Sequence, residues 1–216
     1  MTAELVFDCL GGEPERYAAS PTLLFRLRIA EATGLRLQSI TLRCQIRILP
    51  EQRTYSDAEA VQLADLFGAR SRWADTMQPV QLATVTSHVP GFTGSTETDL
   101  HVPVSYDLDV AAGRYFDALA DGVIPLMLLF SGTVLYRDEV TGALAATQIP
   151  WHKDASYRMP VSVWRSMIDL YFPDSGWIRL NRATIAALSR VKSKHTVSGW
   201  DEIVGLLLKQ AGENEA

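Results

Sequence analysis

Two stretches of the chain alternate between apolar and mostly polar residues. From Thr22 to Ile29, Leu23, Phe25, Leu27 and Ile29 fall on one side and Leu24, Arg26 and Arg28 on the other. From Ile40 to Ile48, Ile40, Leu42, Cys44, Ile46 and Ile48 oppose Thr41, Arg43, Gln45 and Arg47. A period of two sends successive side chains to opposite faces of an extended backbone, so each stretch predicts a strand with one buried face. Such strands must cover one another's apolar sides, which points to layered sheets rather than a helical bundle. Ala32-Thr33-Gly34 supplies turn residues between the two, and they are expected to be neighbours in one antiparallel sheet.

Further strands are expected at Glu4 to Cys9, Val80 to Val89, Thr96 to Tyr106 and Ile124 to Tyr136, the last apolar on both sides and therefore central. Leu144 to Ile149 should pair with it through a turn at Asp138 to Gly142. Ser56-Asp57-Ala58-Glu59 is a capping box, predicting a helix with Val61, Leu63, Ala64 and Phe67 on one side and Gly68 as its stop. Asp109 to Leu119 reads as a helical crossover. After Pro160 the period lengthens: Val161, Trp164, Ile168 and Tyr171 line one helix face, Asn181 can cap a second helix and Ser198 a third. Trp164 and Trp200 are expected in the core. The expected fold class is α+β, an antiparallel β-sandwich-like core over residues 1–159 with one or two inserted helices. A C-terminal helical region over 160–212 packs on it as part of one structural unit.

With 47% apolar residues the chain can build a sizeable core. Its net charge of −5, from 25 acidic and 20 basic residues, is not that of a nucleic-acid binder. The N-terminus has no basic region of a targeting segment, and the longest apolar run, Val123 to Phe130, is too short to cross a bilayer. A cytoplasmic protein without membrane insertion is the expectation, with Cys9 and Cys44 as reduced thiols in strands.

Reactive groups are not clustered. His88, His101, His152 and His195 are scattered, there is no CxxC or GxSxG pattern, and the Pro90-Gly91-Phe92-Thr93-Gly94 loop lacks a phosphate-binding lysine. No catalytic, cofactor-binding or metal-binding residue is assigned, and no cofactor is expected. Two surface features remain. Trp151, His152, Lys153, Asp154, Tyr157 and Arg158 form the densest polar and aromatic segment, either a recognition surface or a polar last strand. Paired as expected, the strands would also gather Arg26, Arg28, Arg43 and Arg47 on one outer face, compensated by carboxylates such as Glu97 and Asp99 or left to dock an acidic protein.

Tyr17-Ala18-Ala19-Ser20-Pro21-Thr22-Leu23, Leu42-Arg43-Cys44-Gln45-Ile46-Arg47-Ile48, Pro90-Gly91-Phe92-Thr93-Gly94, Pro150-Trp151-His152-Lys153 and Asp169-Leu170-Tyr171-Phe172-Pro173 together resemble an uncharacterised bacterial, actinobacterial domain-of-unknown-function family. That family is often encoded near nickel-iron hydrogenase genes. The resemblance implies a setting, with a hydrogenase subunit or maturation factor as partner, and no activity. The expected function is a non-enzymatic accessory, assembly or scaffold protein acting by protein-protein binding. The alternative is an enzyme or small-ligand binder whose site is assembled from dispersed residues around His152, Asp154 and Tyr157.

Overall fold

A computed structural model describes residues 3–104, 112–138, 141–173, 180–195 and 197–212. In chain order its elements are β1 (Leu5–Pro14), β2 (Thr22–Glu31), β3 (Leu37–Ile48), α1 (Asp57–Phe67), α2 (Trp73–Thr76), β4 (Val80–Pro90), β5 (Ser95–Pro103), α3 (Arg114–Asp117), β6 (Val123–Arg137), β7 (Leu144–Gln148), β8 (Asp154–Pro160), α4 (Val161–Tyr171), α5 (Arg182–Lys194) and α6 (Trp200–Ala211). All strand pairs are antiparallel, in a three-stranded sheet β1-β2-β5 and a five-stranded sheet in which β4, β3 and β6 lie side by side. The expected α+β sandwich is the observed one.

The alternating strands bury the predicted side chains. Leu23, Phe25, Leu27 and Ile29 of β2 and Ile40, Leu42, Cys44 and Ile46 of β3 are inaccessible to solvent. β2 and β3 are not neighbours, however: β2 lies between β1 and β5 in one sheet, β3 between β4 and β6 in the other. Glu31 explains the departure. Its buried carboxylate accepts hydrogen bonds from the backbone N–H groups of Glu4, Thr33 and Leu35 at 3.1, 3.0 and 2.8 Å and from the Thr33 hydroxyl at 2.7 Å. Leu35 and Leu37 are buried just beyond it. The link is thereby pinned as an arch from one layer to the other, because a carboxylate can bind several convergent donors that a two-residue turn would not present. The Pro90 to Gly94 loop makes the second crossing, joining β4 to β5 in the opposite sheet, and Gly91 lies so close to Leu37 and Gln38 that a Cβ would stand 2.6 Å from the Gln38 carbonyl oxygen.

β6 is central, as its two-sided apolar character implied. One edge pairs with β3 along its length, while the other takes β8 against Val123 to Leu129 and β7 against Thr133 to Arg137. The two short strands therefore lie end to end, and the Pro150 to Lys153 turn fills the break, with the Ile149 N–H bonding to Gly132 O and the Phe130 N–H to Lys153 O, both at 2.9 Å. Gly132 has φ +140°, a region L side chains rarely adopt, and a Cβ there would overlap the Thr41 carbonyl oxygen.

Ser56 caps α1 through the predicted box: its Oγ accepts from the Glu59 N–H at 3.2 Å and its N–H donates to Glu59 Oε2 at 2.8 Å. The crossover expected at Asp109 to Leu119 forms only the four-residue α3, and its residues 109–111, like 105 and 106 of the expected fifth strand, lie outside the described residues. Pro160 ends β8 and stands just before α4 rather than inside its first turn. α4 packs against β1, β2 and β8, with Trp164 buried and its ring 4.3 Å from that of Phe116.

Contacts divide the chain into Met1–Asp174 and Ser175–Ala216. In the second unit Asn181 caps α5, accepting from the Thr184 N–H at 2.8 Å, as expected. The residue capping α6 is Gly199 rather than Ser198. Trp200 is not a core residue: it is 49% exposed, with Lys192 Nζ 4.9 Å from its ring centroid.

Candidate protein-docking face

The strand register decides which of the predicted surface residues meet. Arg26 and Arg28 lie on the outside of the three-stranded sheet, whereas Arg43 and Arg47 lie on the outside of the five-stranded sheet. The single stripe of four arginines therefore does not exist. It depended on β2 and β3 pairing, and opposed layers turn their outer faces away from each other.

The two halves differ in charge. On the three-stranded sheet, Arg26 stands opposite Asp99 with Nε 3.2 Å from Oδ1 and has Glu13 at 3.9 Å, while Arg28 bonds Asp8 Oδ2 at 2.8 Å. The Asp99 hydrogen bond and charge raise the Arg26 guanidinium above its ordinary pKa. Compensation by carboxylates, Asp99 among them, is realised on this sheet. On the five-stranded sheet, Gln45 stands beside Leu129 and Leu129 beside Asp154; Arg47 stands beside Met127 and Met127 beside Ser156; Arg158 stands beside Pro125. Registered residues share a face, so Arg43, Arg47, Asp154 and Arg158 occupy one outer surface. Among the described residues Arg43 and Arg158 form no ion pair, and Arg47 bonds only Gln45 Oε1 at 3.1 Å. With exposed Arg137, which follows Thr133 and Leu135 on the same side of β6, four arginines against one carboxylate make this face locally basic on a chain of net charge −5.

Between these charges the face carries uncharged side chains. Thr41, Thr84, Thr86, His88, Ser131 and Ser156 are exposed, and Met127 and Leu129 are half-buried between them. Gln45 Nε2 donates to Gln81 Oε1 at 2.6 Å and Gln148 Nε2 to Thr133 Oγ1 at 3.0 Å, ordering side chains across neighbouring strands. Trp151 projects from the β7–β8 turn at the margin of the same sheet, 90% exposed, with the His152 ring edge-on at 5.9 Å.

The segment from Trp151 to Arg158 does not act as one unit. His152 lies in the turn, ahead of β8, so it does not share a strand face with Asp154. Lys153 is held in an ion pair with Glu4. Tyr157 points to the opposite side of β8 from Asp154, packing edge-on against Phe25 at 6.0 Å with Gly12 beside it. His152, Asp154 and Tyr157 thus do not converge on a pocket.

A second buried polar network, of which the sequence announces only the Ser56–Glu59 box, centres on Arg53 and Glu59. Arg53 Nη2 lies 2.6 Å from Glu59 Oε1 and also bonds the Asp121 carbonyl at 2.7 Å, while Nη1 bonds Val123 O at 2.9 Å and Glu59 Oε1 accepts from the Ala120 N–H at 3.0 Å. Burial works to raise the Glu59 carboxyl, but the Ser56 and Ala120 N–H groups and the Arg53 guanidinium outweigh it and hold the group below the ordinary range. Beside it the Tyr55 hydroxyl bonds Pro50 O at 2.7 Å and lies 2.8 Å from the Tyr115 hydroxyl. Pro50 O only accepts, so Tyr55 donates to it and Tyr115 donates to Tyr55. Burial pushes both phenols above their ordinary values, leaving them protonated near neutral pH. This network ties the β3–α1 link to the start of β6 and offers no poised acid or base. Cys9 and Cys44 are free thiols, raised by burial to about 11 and about 12, which makes them poor nucleophiles. Among the described residues no three His, Cys, Asp or Glu side chains group as metal ligands, and no helix is long and apolar enough to cross a membrane.

Two packed antiparallel sheets, one outer face with Arg26 and Arg28 outnumbered by Asp8, Glu13, Glu97 and Asp99 and the other locally basic, define an α+β sandwich protein whose two sheet surfaces differ in sign. The chain belongs to a family of unknown function (DUF6084), whose profile matches residues 2–216. Curated proteins give no match. Among solved structures it is similar to β-glucosidase 3B from Thermotoga neapolitana at 9% identity and a TM-score of 0.25, over 72% of this chain and 17% of that one. A β-glucosidase from Kluyveromyces marxianus matches at 6% identity and 0.25, over 73% and 15%. A solution structure described as a late embryogenesis abundant (LEA) protein matches at 15% identity and 0.28, over 74% and 72%. The chain thus spans less than a fifth of either glucosidase, and likenesses this loose carry nothing about activity.

Proposed function

We propose that this protein is a non-enzymatic accessory protein that docks an acidic surface of a partner protein on the outer face of its five-stranded sheet. The observation that carries the reading is the contrast between faces: Arg26 and Arg28 are each matched by carboxylates, whereas Arg43 and Arg158 are unmatched among the described residues. Unmatched charge on one face of an acidic chain steers a partner of opposite sign and fixes its orientation. Met127, Leu129 and the exposed Trp151 add apolar and aromatic contact of the kind that supplies binding energy. The resemblance noted in the sequence implies a hydrogenase setting, so a hydrogenase subunit or maturation factor is the first partner to test, in the cytoplasm. Affinity capture from native cells with the tagged full chain tests the reading. Arg43→Glu/Arg158→Glu abolishes recovery of the partner, and Arg26→Glu/Arg28→Glu leaves it intact; equal loss from both variants, or from neither, refutes it.

A further inference from the structure

Among the described residues four strands besides β4 have a side not paired to a neighbour, and each is guarded. β1 carries Asp8, Glu13 and a break in register at Cys9 and Gly11, and lies near β8, where Gly12 meets Tyr157. β5 carries Glu97 and Asp99 and ends in Pro103; β7 has only five residues; β8 carries Asp154 and Arg158 and ends in Pro160. These are the devices that keep an open strand from templating another chain. β4 differs. Its eleven residues, Val80–Pro90, contain no Lys, Arg, Asp or Glu and no proline before the last position. Apart from its ladder with β3, no backbone group of β4 bonds another backbone group among the described residues. Ala83 and Val85 face inward yet stay half-exposed, where the residues they pair with, Ile46 and Cys44, are fully buried.

We infer that β4 pairs antiparallel with β4 of a second copy of this chain, joining the two five-stranded sheets edge to edge. The register break between Ile46 and Arg47 leaves Leu82 without a partner on β3, so the regular part of the edge runs from Ala83 to Val89. A twofold axis at Thr86 then sets Thr86 against Thr86 of the second copy and Thr84 against His88 on the outer side. On the inner side it sets Val85 against Ser87 and Ala83 against Val89. No pair brings two charges of one sign together, and Thr–Thr pairs are favourable across strands. Twofold pairing also closes after two copies, so the edge is used up rather than propagated. Registered residues keep to one face, and the surfaces bearing Arg43 and Arg47 in the two copies become continuous.

Sedimentation equilibrium on the full chain tests this, with circular dichroism to confirm folding. The wild type has twice the 23.9 kDa chain mass at micromolar concentration. Thr84→Lys/Thr86→Lys and Thr84→Glu/Thr86→Glu change only exposed side chains; each raises the dissociation constant by about tenfold or more, and an equimolar mixture of the two restores the dimer. A wild type that stays monomeric, or a dimer indifferent to both variants, overturns the inference, as does a mixture no tighter than its components.

Discussion

Glu59 joins what is local in the sequence to what is not. Its bonds to Ser56 are the capping box that four consecutive residues announce and Arg53 reaches it from the link just before the helix, whereas the Ala120 N–H comes from chain brought back by the sandwich. Removing the carboxylate leaves a buried guanidinium without its counter-charge, so Glu59→Ala costs about 3 to 5 kcal/mol in urea unfolding, and a loss under about 1 kcal/mol contradicts the network's role. Glu31 and Glu59 are both depressed in the folded chain, their hydrogen bonds outweighing burial. The unfolded chain therefore binds protons more readily in acid. The stability they lend is complete above the ordinary glutamate value of about 4.3 and is lost as pH falls through the folded-state values. The Glu31→Gln/Glu59→Gln protein should show a shallower fall in stability below about pH 4.3 than the wild type; parallel curves would exclude both groups as the source.

At the scale of elements, alternation showed which side chains are buried and was blind to which strand lies beside which. Leu23 to Ile29 and Ile40 to Ile46 bury equally well as neighbours or as opposed layers, and contacts outside the alternation, the Glu31 clamp on the intervening link and the pairs Arg26–Asp99 and Arg28–Asp8 among them, distinguish the two. Periodicity carries no term for such a clamp. The centrality of β6 was legible because both its faces are apolar; the division of its far edge between β7 and β8 was not, since it turns on Gly132. Gly132→Ala should destabilise by about 2 kcal/mol or more through the strained φ and the overlap with Thr41, seen as a lowered melting temperature; an unchanged one would show that the strand adapts. Trp151, exposed in the turn beside that break, makes the opposite case. Trp151→Ala should alter stability by no more than about 0.5 kcal/mol while weakening partner capture, and the reverse pattern would make it a packing residue.

For the whole molecule, the position of charge matters more than its sum. A net charge of −5 hides one sheet surface whose arginines are outnumbered by carboxylates and one basic one. The sequence reading found the four arginines and the segment containing Asp154 and Arg158, but sheet order sorted them, leaving Arg26 and Arg28 with carboxylates and bringing Arg43 and Arg47 together with Arg158. The central claim is that this second surface meets the partner. Hydroxyl-radical footprinting of the captured complex reads it most directly, because Met127 and Trp151 belong to the five-stranded sheet while the equally reactive Tyr17, 94% exposed, lies in the β1–β2 link of the other. Binding should protect Met127 and Trp151 and leave Tyr17 as reactive as in the free protein; protection of Tyr17 with Met127 and Trp151 unchanged would contradict it.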